Sequence, residues 1–549
     1  MNNPLKYGTM KRLIFILLIA LLSGCAEYLD NPLKDKETGD DINLLLIDFN
    51  FFNTRLSVKL LDVSNGSLID KAATVRFTGD NGNDIVTFTG EKRPEFNVTN
   101  GQLEVTIDPN IVISEDTPFR FAVSVTAEGY NSMNKGFILQ NEGKKTIELK
   151  LSNIGDEEES EYGDYPGFGE GDTSIVISGK RADLLKSAQQ DETPYAIEYE
   201  ISISSFLKFK DESGKLLFAS SGELIDAYNA DPSNFLKMKV NKFKDYEPGT
   251  DVVEIDGQPV NVLFHKLETG RLTELKVAGK KVADLNGGVI QSRCTYTGSP
   301  APDLFGFAEF LSDRWKIKGA ETVYNQLNFS YTIAKASTQE LCASGSKIKF
   351  ISNVVSSFSL DADVFDANDN LLTYIHFKGS FPETFTVENT PNQPVKIVFR
   401  NNNPSFQPIA PLEIENFCTD SYEVNVSPAS GYKEYQIVLR ALCQDNPTIA
   451  FAPTYSGEYK IKNSDNLWQG ADMKGGVVDL LALPGQEYEY RLLWENNWEY
   501  STLVAEFDEK GNYQHPSGSK IRAEQMSDGR IRIFMEHIFS QNICDDLGW

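Results

Sequence analysis

Residues 119–125 read Phe119-Arg120-Phe121-Ala122-Val123-Ser124-Val125. Apolar side chains fall at Phe119, Phe121, Val123 and Val125, the period of a strand with one face in a core. The same alternation recurs on both sides. Leu56, Val58 and Leu60 come before it, then Val75 and Phe77, then Leu103, Val105 and Ile107; Ile147, Leu149 and Leu151 follow. The breaks carry turn residues, Ser64-Asn65-Gly66 and Gly79-Asp80-Asn81-Gly82-Asn83, whose backbones and side chains favour reversals. Short strands with regular turns over residues 43–152 predict a β-sandwich.

Working outward, acids crowd 156–161 and Gly and Pro crowd 163–171, so residues 153–172 read as an acidic, Gly-rich linker. Strand-like pattern resumes at Ile175 and Ile177, at 195–206, 260–264 and 275–277, with short helices expected at 182–190 and 223–229. That stretch, 173–300, is expected to be a β-rich domain. Leu327, Phe329, Tyr331 and Ile333 alternate, and 347–351, 358–365, 371–377, 385–387 and 395–399 read as strands. An Ig-like sandwich is expected over 301–405. After the Asn401-Asn402-Asn403-Pro404 break, an aromatic-rich β-domain is expected over 412–549. No exact internal repeat is visible. The fold class read from the pattern is all-β, built from tandem Ig-like sandwiches.

A chain of 549 residues exceeds what one core of about 250–300 residues supports, so several domains are required. Against 52 Lys and Arg stand 79 Asp and Glu, a net charge of -27. Such a surface repels phosphate backbones, which argues against nucleic acid as a partner. Four His leave little material for acid–base or metal chemistry.

The N-terminus reads as an address. Lys11 and Arg12 precede ten apolar residues, Leu13 to Leu22. Ten helical residues span about 15 Å, half of a bilayer core of about 30 Å, so residues 1–24 read as a signal peptide and not a membrane span. The segment ends Leu21-Leu22-Ser23-Gly24-Cys25, which resembles the lipobox of bacterial lipoproteins. The resemblance implies cleavage after Gly24 and lipid on the Cys25 sulfur, and Ala26, in place of the Asp that resembles an inner-membrane retention signal, points to the outer membrane. Residues 25–41 form an acidic tether with Glu27, Asp30, Asp35, Glu37, Asp40 and Asp41, similar to the surface-export signals of Bacteroidota lipoproteins. The expected location is therefore the outer membrane, facing the exterior.

The block from 43 to 152 also resembles the carboxypeptidase-regulatory-like, or transthyretin-like, domain. The residues that carry it are the strand and turn over 56–70, Ala73-Thr74-Val75-Arg76-Phe77 and Val125-Thr126-Ala127-Glu128-Gly129-Tyr130. The resemblance implies a non-catalytic sandwich near the membrane end of a surface protein; a general Ig-like sandwich fits the same pattern.

With Cys25 lipidated, five Cys remain, and two disulfides among them can be drawn 15 ways. The compartment permits disulfides. Chain proximity suggests Cys294 with Cys342 and Cys418 with Cys443; Cys544 is then left over. No Cys/His cluster has zinc spacing.

Asp363, Asp366 and Asp369 lie in an Asp/Asn-rich stretch that begins like an EF-hand loop, but Leu371 occupies the Gly position and Phe377 the Glu position. These carboxylates are candidates for weak Ca²⁺ binding, or simply a hairpin turn. No other cofactor is expected. Ser344-Gly345-Ser346-Lys347 and Ser517-Gly518-Ser519-Lys520 match Ser-x-x-Lys, but Gly interrupts the helical turn that motif needs. His376, within an alternating strand, reads as structural. Trp498 and Tyr500 follow the Glu495-Asn496-Asn497 turn and are the rings expected to be exposed for ligand contact. The last domain, farthest from the anchor along the chain, is the expected place for recognition.

These features point to a non-enzymatic binding or accessory protein that engages an outer-membrane β-barrel protein or a surface glycan. Two alternatives are a structural envelope lipoprotein and a hydrolase centred within 173–405. Acids or His converging with Ser in one cleft would mark the hydrolase.

Overall fold

The structure is a computed structural model that describes residues 43–45, 52–162, 175–180, 195–203, 209–298, 301–339, 341–342, 345–387, 390–400, 403–445, 449–452, 454–464, 468–504 and 522–546. Cys25, the tether, the glycines of 163–171, the helix expected over 182–190, Ser344, His515 and the Ser517 motif lie outside the described residues.

The N-terminal sandwich is built from two four-stranded sheets. One runs Ile85–Val86, Gln102–Ile107, Thr54–Asp62, Gly143–Leu151, and the other Phe96–Val98, Ala73–Thr78, Phe119–Ala127, Met133–Leu139. Every residue of the alternating pattern, from Leu56 to Leu151, is buried in the core between them.

Three sandwiches share one topological device: their first and last strands lie side by side and parallel. Thr54–Asp62 pairs with Gly143–Leu151, Ser346–Ile351 with Ser421–Asn425, and Lys433–Cys443 with Ile531–Phe539. Both disulfides clip such a pair. Cys342–Cys418 joins the approaches to the two strands of the middle sandwich, and Cys443–Cys544 joins the first strand of the C-terminal sandwich to the helix Gln541–Asp546 after its last strand. The expected pairing of Cys294 with Cys342 and Cys418 with Cys443 is therefore corrected. Bonding follows the closure of each sandwich rather than distance along the chain. Cys294 is a buried thiol, pushed up to about 12 by burial.

The second domain departs from the expected series of sandwiches. Leu236–Ile255 and Gln258–Val277 form one long hairpin of two 20-residue strands, turned at Asp256-Gly257 with both residues at positive φ. Asp-Gly suits this tight hairpin turn, and register shifts along the ribbon let it twist strongly. Its far half closes a ring: Gln258–Val277 pairs with Ser330–Ser337, then Leu304–Phe310, then Trp315–Gly319, which returns to the first strand at Val253. Val253, Val262, Phe264 and Trp315 fill this small barrel. Its near half, with Tyr195–Ile203, Val289–Tyr296 and the helix Ser221–Ala230, encloses a separate core. The helix begins where Ser220 accepts the Glu223 N–H and Glu223 accepts the Ala219 N–H, a reciprocal cap. Strands from both sides of residue 300 belong to this unit, so the sheets do not divide there and the middle sandwich begins near Leu341.

The expected linker at 153–172 and the expected start of the sandwich at 43 are also revised. Within 153–172, Glu158–Tyr162 is a strand antiparallel to residues 238–242, with Glu158 opposite Lys242 and Glu161 opposite Lys239. Lys239 pairs with Glu159 at 2.8 Å, which offsets part of the repulsion that made the acidic run look unstructured. At the other end, Asn43–Leu45 does not join the sandwich that follows it. It pairs parallel with Ile449–Phe451 of the C-terminal sheet.

The N-terminal sandwich is docked. Gly136, on its edge strand, donates its N–H to the buried Asp251 of the barrel at 2.8 Å, and Trp315 Nε1–H donates to the same carboxylate at 3.1 Å. A Cβ at Gly136 would meet the Asp313 carbonyl at 2.5 Å, so only glycine permits the approach. Burial raises Asp251 to about 6, even though Lys135 and the N–H donors pull it down. On the opposite side the Glu104 N–H donates to the Glu495 carbonyl at 2.7 Å, Arg93 pairs with Glu495 at 3.0 Å, and Phe88 packs on Trp494. Among the described residues no helix is long and apolar enough to cross a membrane.

Candidate functional site

The middle sandwich presents the strands Ser357–Asp366 and Leu371–Ser380 as a hairpin. Phe358, Leu360, Ala362 and Val364 point into its core, so period 2 turns Ser359, Asp361 and Asp363 to the opposite face. The register sets three cross-strand pairs on that face: Ser359 opposite Lys378, Asp361 opposite His376, and Asp363 opposite Tyr374.

This face is one wall of a cleft between three domains. A cavity of about 560 Å³ is lined by Lys59, Asp70, Glu148 and Lys150 of the N-terminal sandwich, by Ser359, Asp361, Tyr374, His376, Lys378 and Arg400 of the middle one, and by Glu458, Trp468, Arg491 and Tyr500 of the C-terminal one. A second cavity, of about 620 Å³, adds Arg55, Glu104, Lys144 and Asp472 and shares Lys59, His376 and Lys378 with the first. The two are halves of one groove over a common floor.

The floor is an ionic network. Asp472 accepts from Lys378 at 2.7 Å, from Lys144 at 2.8 Å and from the Gly457 N–H at 3.2 Å. Burial works against its charge, but the two ammoniums hold the carboxyl well below the usual range. Lys378 responds in the opposite sense: burial disfavours its charge, yet Asp472 and Glu458 raise it above its ordinary value. Glu458 accepts the forked guanidinium of Arg491, which stacks between Trp468 at 4.0 Å and Trp498 at 3.9 Å. Despite burial, Arg491, Lys59 and Lys378 keep Glu458 low. Higher on the wall, Lys150 lies 3.8 Å and Arg400 4.8 Å from the Tyr374 ring centroid.

Of the two rings expected to be exposed, the structure separates one from the other. Tyr500 is 54% exposed at the cleft mouth, edge-on to Trp468. Trp498 is corrected: it is buried, because the turn before it docks on the N-terminal sandwich and Arg491 covers its ring. The last domain, farthest from the tether along the chain, contacts the sandwich nearest to it.

The Asp/Asn stretch does not gather its carboxylates. Asp363 is held by Arg400 at 3.0 Å, Asp366 accepts the Asn368 and Asn370 N–H groups of its own turn, and Asp369 is exposed at positive φ. It is a hairpin turn, and among the described residues no three His, Cys, Asp or Glu side chains converge. Lys347 of the first Ser-x-x-Lys match lies on the strand Ser346–Ile351.

His376 lies on a strand, as its alternating context predicts, and the structure adds its partners. Its Nδ1 lies 2.6 Å from Asp361 Oδ1 and its Nε2 3.4 Å from Ser359 Oγ, inside the cleft. The alternation of 358–364 could have turned Ser359 and Asp361 outward. Placing His376 opposite them required the register across the 366–370 turn, which alternation does not supply.

No family model matches the sequence, and no curated protein matches it. Several solved structures are similar over long stretches. The Bacillus anthracis TIE protein aligns over 92% of this chain and 76% of its own, at 9% identity and a TM-score of 0.14. BcpA, the major pilin subunit of Bacillus cereus, covers 68% of this chain and 99% of its own, at 8% identity and a TM-score of 0.14. The shaft pilin SpaA from Lactobacillus rhamnosus GG covers 36% of this chain and 98% of its own, at 7% identity and a TM-score of 0.15. Superposition this poor carries no argument; the β architecture rests on the strand pairings themselves.

Proposed function

We propose that the protein is a lipid-anchored surface protein of the outer membrane, held by Cys25, that binds a glycan in the three-domain cleft. The observation that carries the reading is the cleft. It is an open groove whose walls come from segments as distant in sequence as Lys59 and Tyr500, floored by charged donors and acceptors and edged by an exposed ring. A hydroxyl-rich ligand matches such a surface, with hydrogen bonds to the floor and one sugar face on the tyrosine.

The anchor is tested by Cys25→Ala, which is expected to move the protein from the membrane fraction to the soluble one or to leave an unprocessed precursor. A variant still acylated and processed would remove the anchor from the reading. Binding is tested with the 26–549 chain on an array of bacterial and host glycans, followed by titration of the best binder. Tyr500→Ala is expected to weaken it about 10-fold, or about 1.4 kcal/mol, as for one ring at a binding hot spot. Val112→Ala, 68% exposed and outside the cleft, should leave it unchanged. Equal loss from both variants, or no binder, counts against the cleft.

A further inference from the structure

Ser359, His376 and Asp361 form a line of hydrogen-bonding groups on one sheet face, inside the cavity. An Asp361 carboxylate 2.6 Å from Nδ1 favours the tautomer in which that nitrogen donates. Nε2 then keeps its lone pair, and this lone pair faces the Ser359 hydroxyl at 3.4 Å. A hydroxyl, a base within reach of it and a carboxylate that fixes the base's tautomer are the parts of an activated serine, recognised by geometry and not by sequence order. The contact between Oγ and Nε2 is long, as such contacts often are without substrate. Rigidity comes from the sheet: Asp361 and His376 are direct cross-strand partners, and Arg400 donates its backbone N–H to the Asp361 carbonyl at 2.8 Å.

We propose that Ser359 is an acylatable nucleophile and that the cleft cleaves a carboxylic ester carried on a polar ligand. This goes beyond glycan binding and does not depend on it. Ser359 Oγ bonds to the ester carbonyl carbon while its proton passes to His376 Nε2. The carbonyl oxygen takes the negative charge, in a cavity whose lining includes the cations Lys59 and Arg400. Collapse breaks the bond to the alkoxide, which takes the proton back from Nε2. Nε2 then takes a proton from water as the water oxygen bonds to the acyl carbon; the Oγ–carbon bond breaks, Oγ takes that proton from Nε2, and the free acid leaves.

The test uses a fluorophosphonate probe on the folded 26–549 chain. Oγ bonds to phosphorus, fluoride leaves, and His376 takes the proton. Peptide mass spectrometry is expected to find the adduct on Ser359, approaching one per chain, and none in Ser359→Ala. His376→Asn is expected to slow labelling about 10²–10⁴-fold, the usual span of general-base assistance, and Asp361→Asn to slow it less. Hydrolysis of p-nitrophenyl acetate should fall in the same order, with thermal midpoints confirming that each variant is folded. No adduct, an adduct on another serine, or a labelling rate indifferent to His376→Asn would overturn the proposal. Each of those results leaves glycan binding standing, and labelling without any glycan binder would do the reverse.

Discussion

Replacing Lys378 with methionine is expected to lower the thermal midpoint of the middle and C-terminal sandwiches by the equivalent of about 3–5 kcal/mol, the usual cost of stranding a buried charge. Methionine keeps most of the stem, which packs against Gly470, where a Cβ would meet Lys378 Cε at 2.8 Å. What is lost is the ammonium shared by Asp472 and felt by Glu458. Lys144 remains on Asp472 but is half exposed, so it compensates only in part. The signs define the pH window. Asp472 is depressed below its unfolded value of 3.8, so its contribution is complete above that pH and fades as pH falls toward the folded value. Lys378 is raised above 10.5, so its contribution is complete below that pH and is lost only as pH rises past it. The gap between wild type and variant should therefore stay level from about pH 4 to 10 and narrow in acid. Melting curves across that range measure it. A gap under about 1 kcal/mol at pH 7 would mean that water already shares this site and that the three domains are held by other contacts.

Removing either disulfide is expected to have a comparable effect. The bridges close loops of 76 and 101 residues, for which chain entropy gives about 4–5 kcal/mol, with native bridges delivering about 2–5. For a domain the size of the middle sandwich, the Cys342→Ser/Cys418→Ser pair should cost roughly 10–20 °C in its melting temperature. Cys443→Ser/Cys544→Ser should do the same to the C-terminal sandwich. Peptide mapping without reductant should recover these two cross-links. Cys294, buried and raised to about 12, should resist alkylation at pH 8 until the chain unfolds. A Cys294–Cys342 peptide would overturn the arrangement in which each bridge staples a first strand to a last.

The sandwich at 54–151 was legible because its two faces differ: one alternating set is apolar throughout, and all of it is buried. The ribbon of 236–277 was less so. Its strands carry lysines and acids on both faces, and Glu268 sits buried where Tyr195 and Tyr331 hydroxyls donate to it, so period 2 showed only in fragments. Asp256-Gly257 was the signal that could have joined those fragments into one hairpin. The recurrent parallel closure of three sandwiches left no trace as a sequence repeat, because strand order constrains which faces are apolar and not which residues make them so. Of the candidate site, Tyr500 was reachable from its turn. The partners of His376 were not, since they depend on the register across the 366–370 turn, and Lys59 and Lys378 line one groove only once the N-terminal and middle sandwiches have docked.

The pairing of Asn43–Leu45 with Ile449–Phe451 settles where mechanical load would enter. A pull on the chain upstream of Asn43 reaches the C-terminal sheet before the sandwich that follows in sequence. A pull along the strand axis shears the hydrogen bonds of this short parallel segment together instead of opening them one at a time. Its neighbour Lys433–Cys443 is locked by the Cys443–Cys544 bridge, so tension arriving there meets a covalent stop. Were the chain held upstream of Asn43, a drag force on anything in the groove would enter a sandwich closed by a disulfide and bypass the N-terminal sandwich for as long as this short pairing holds.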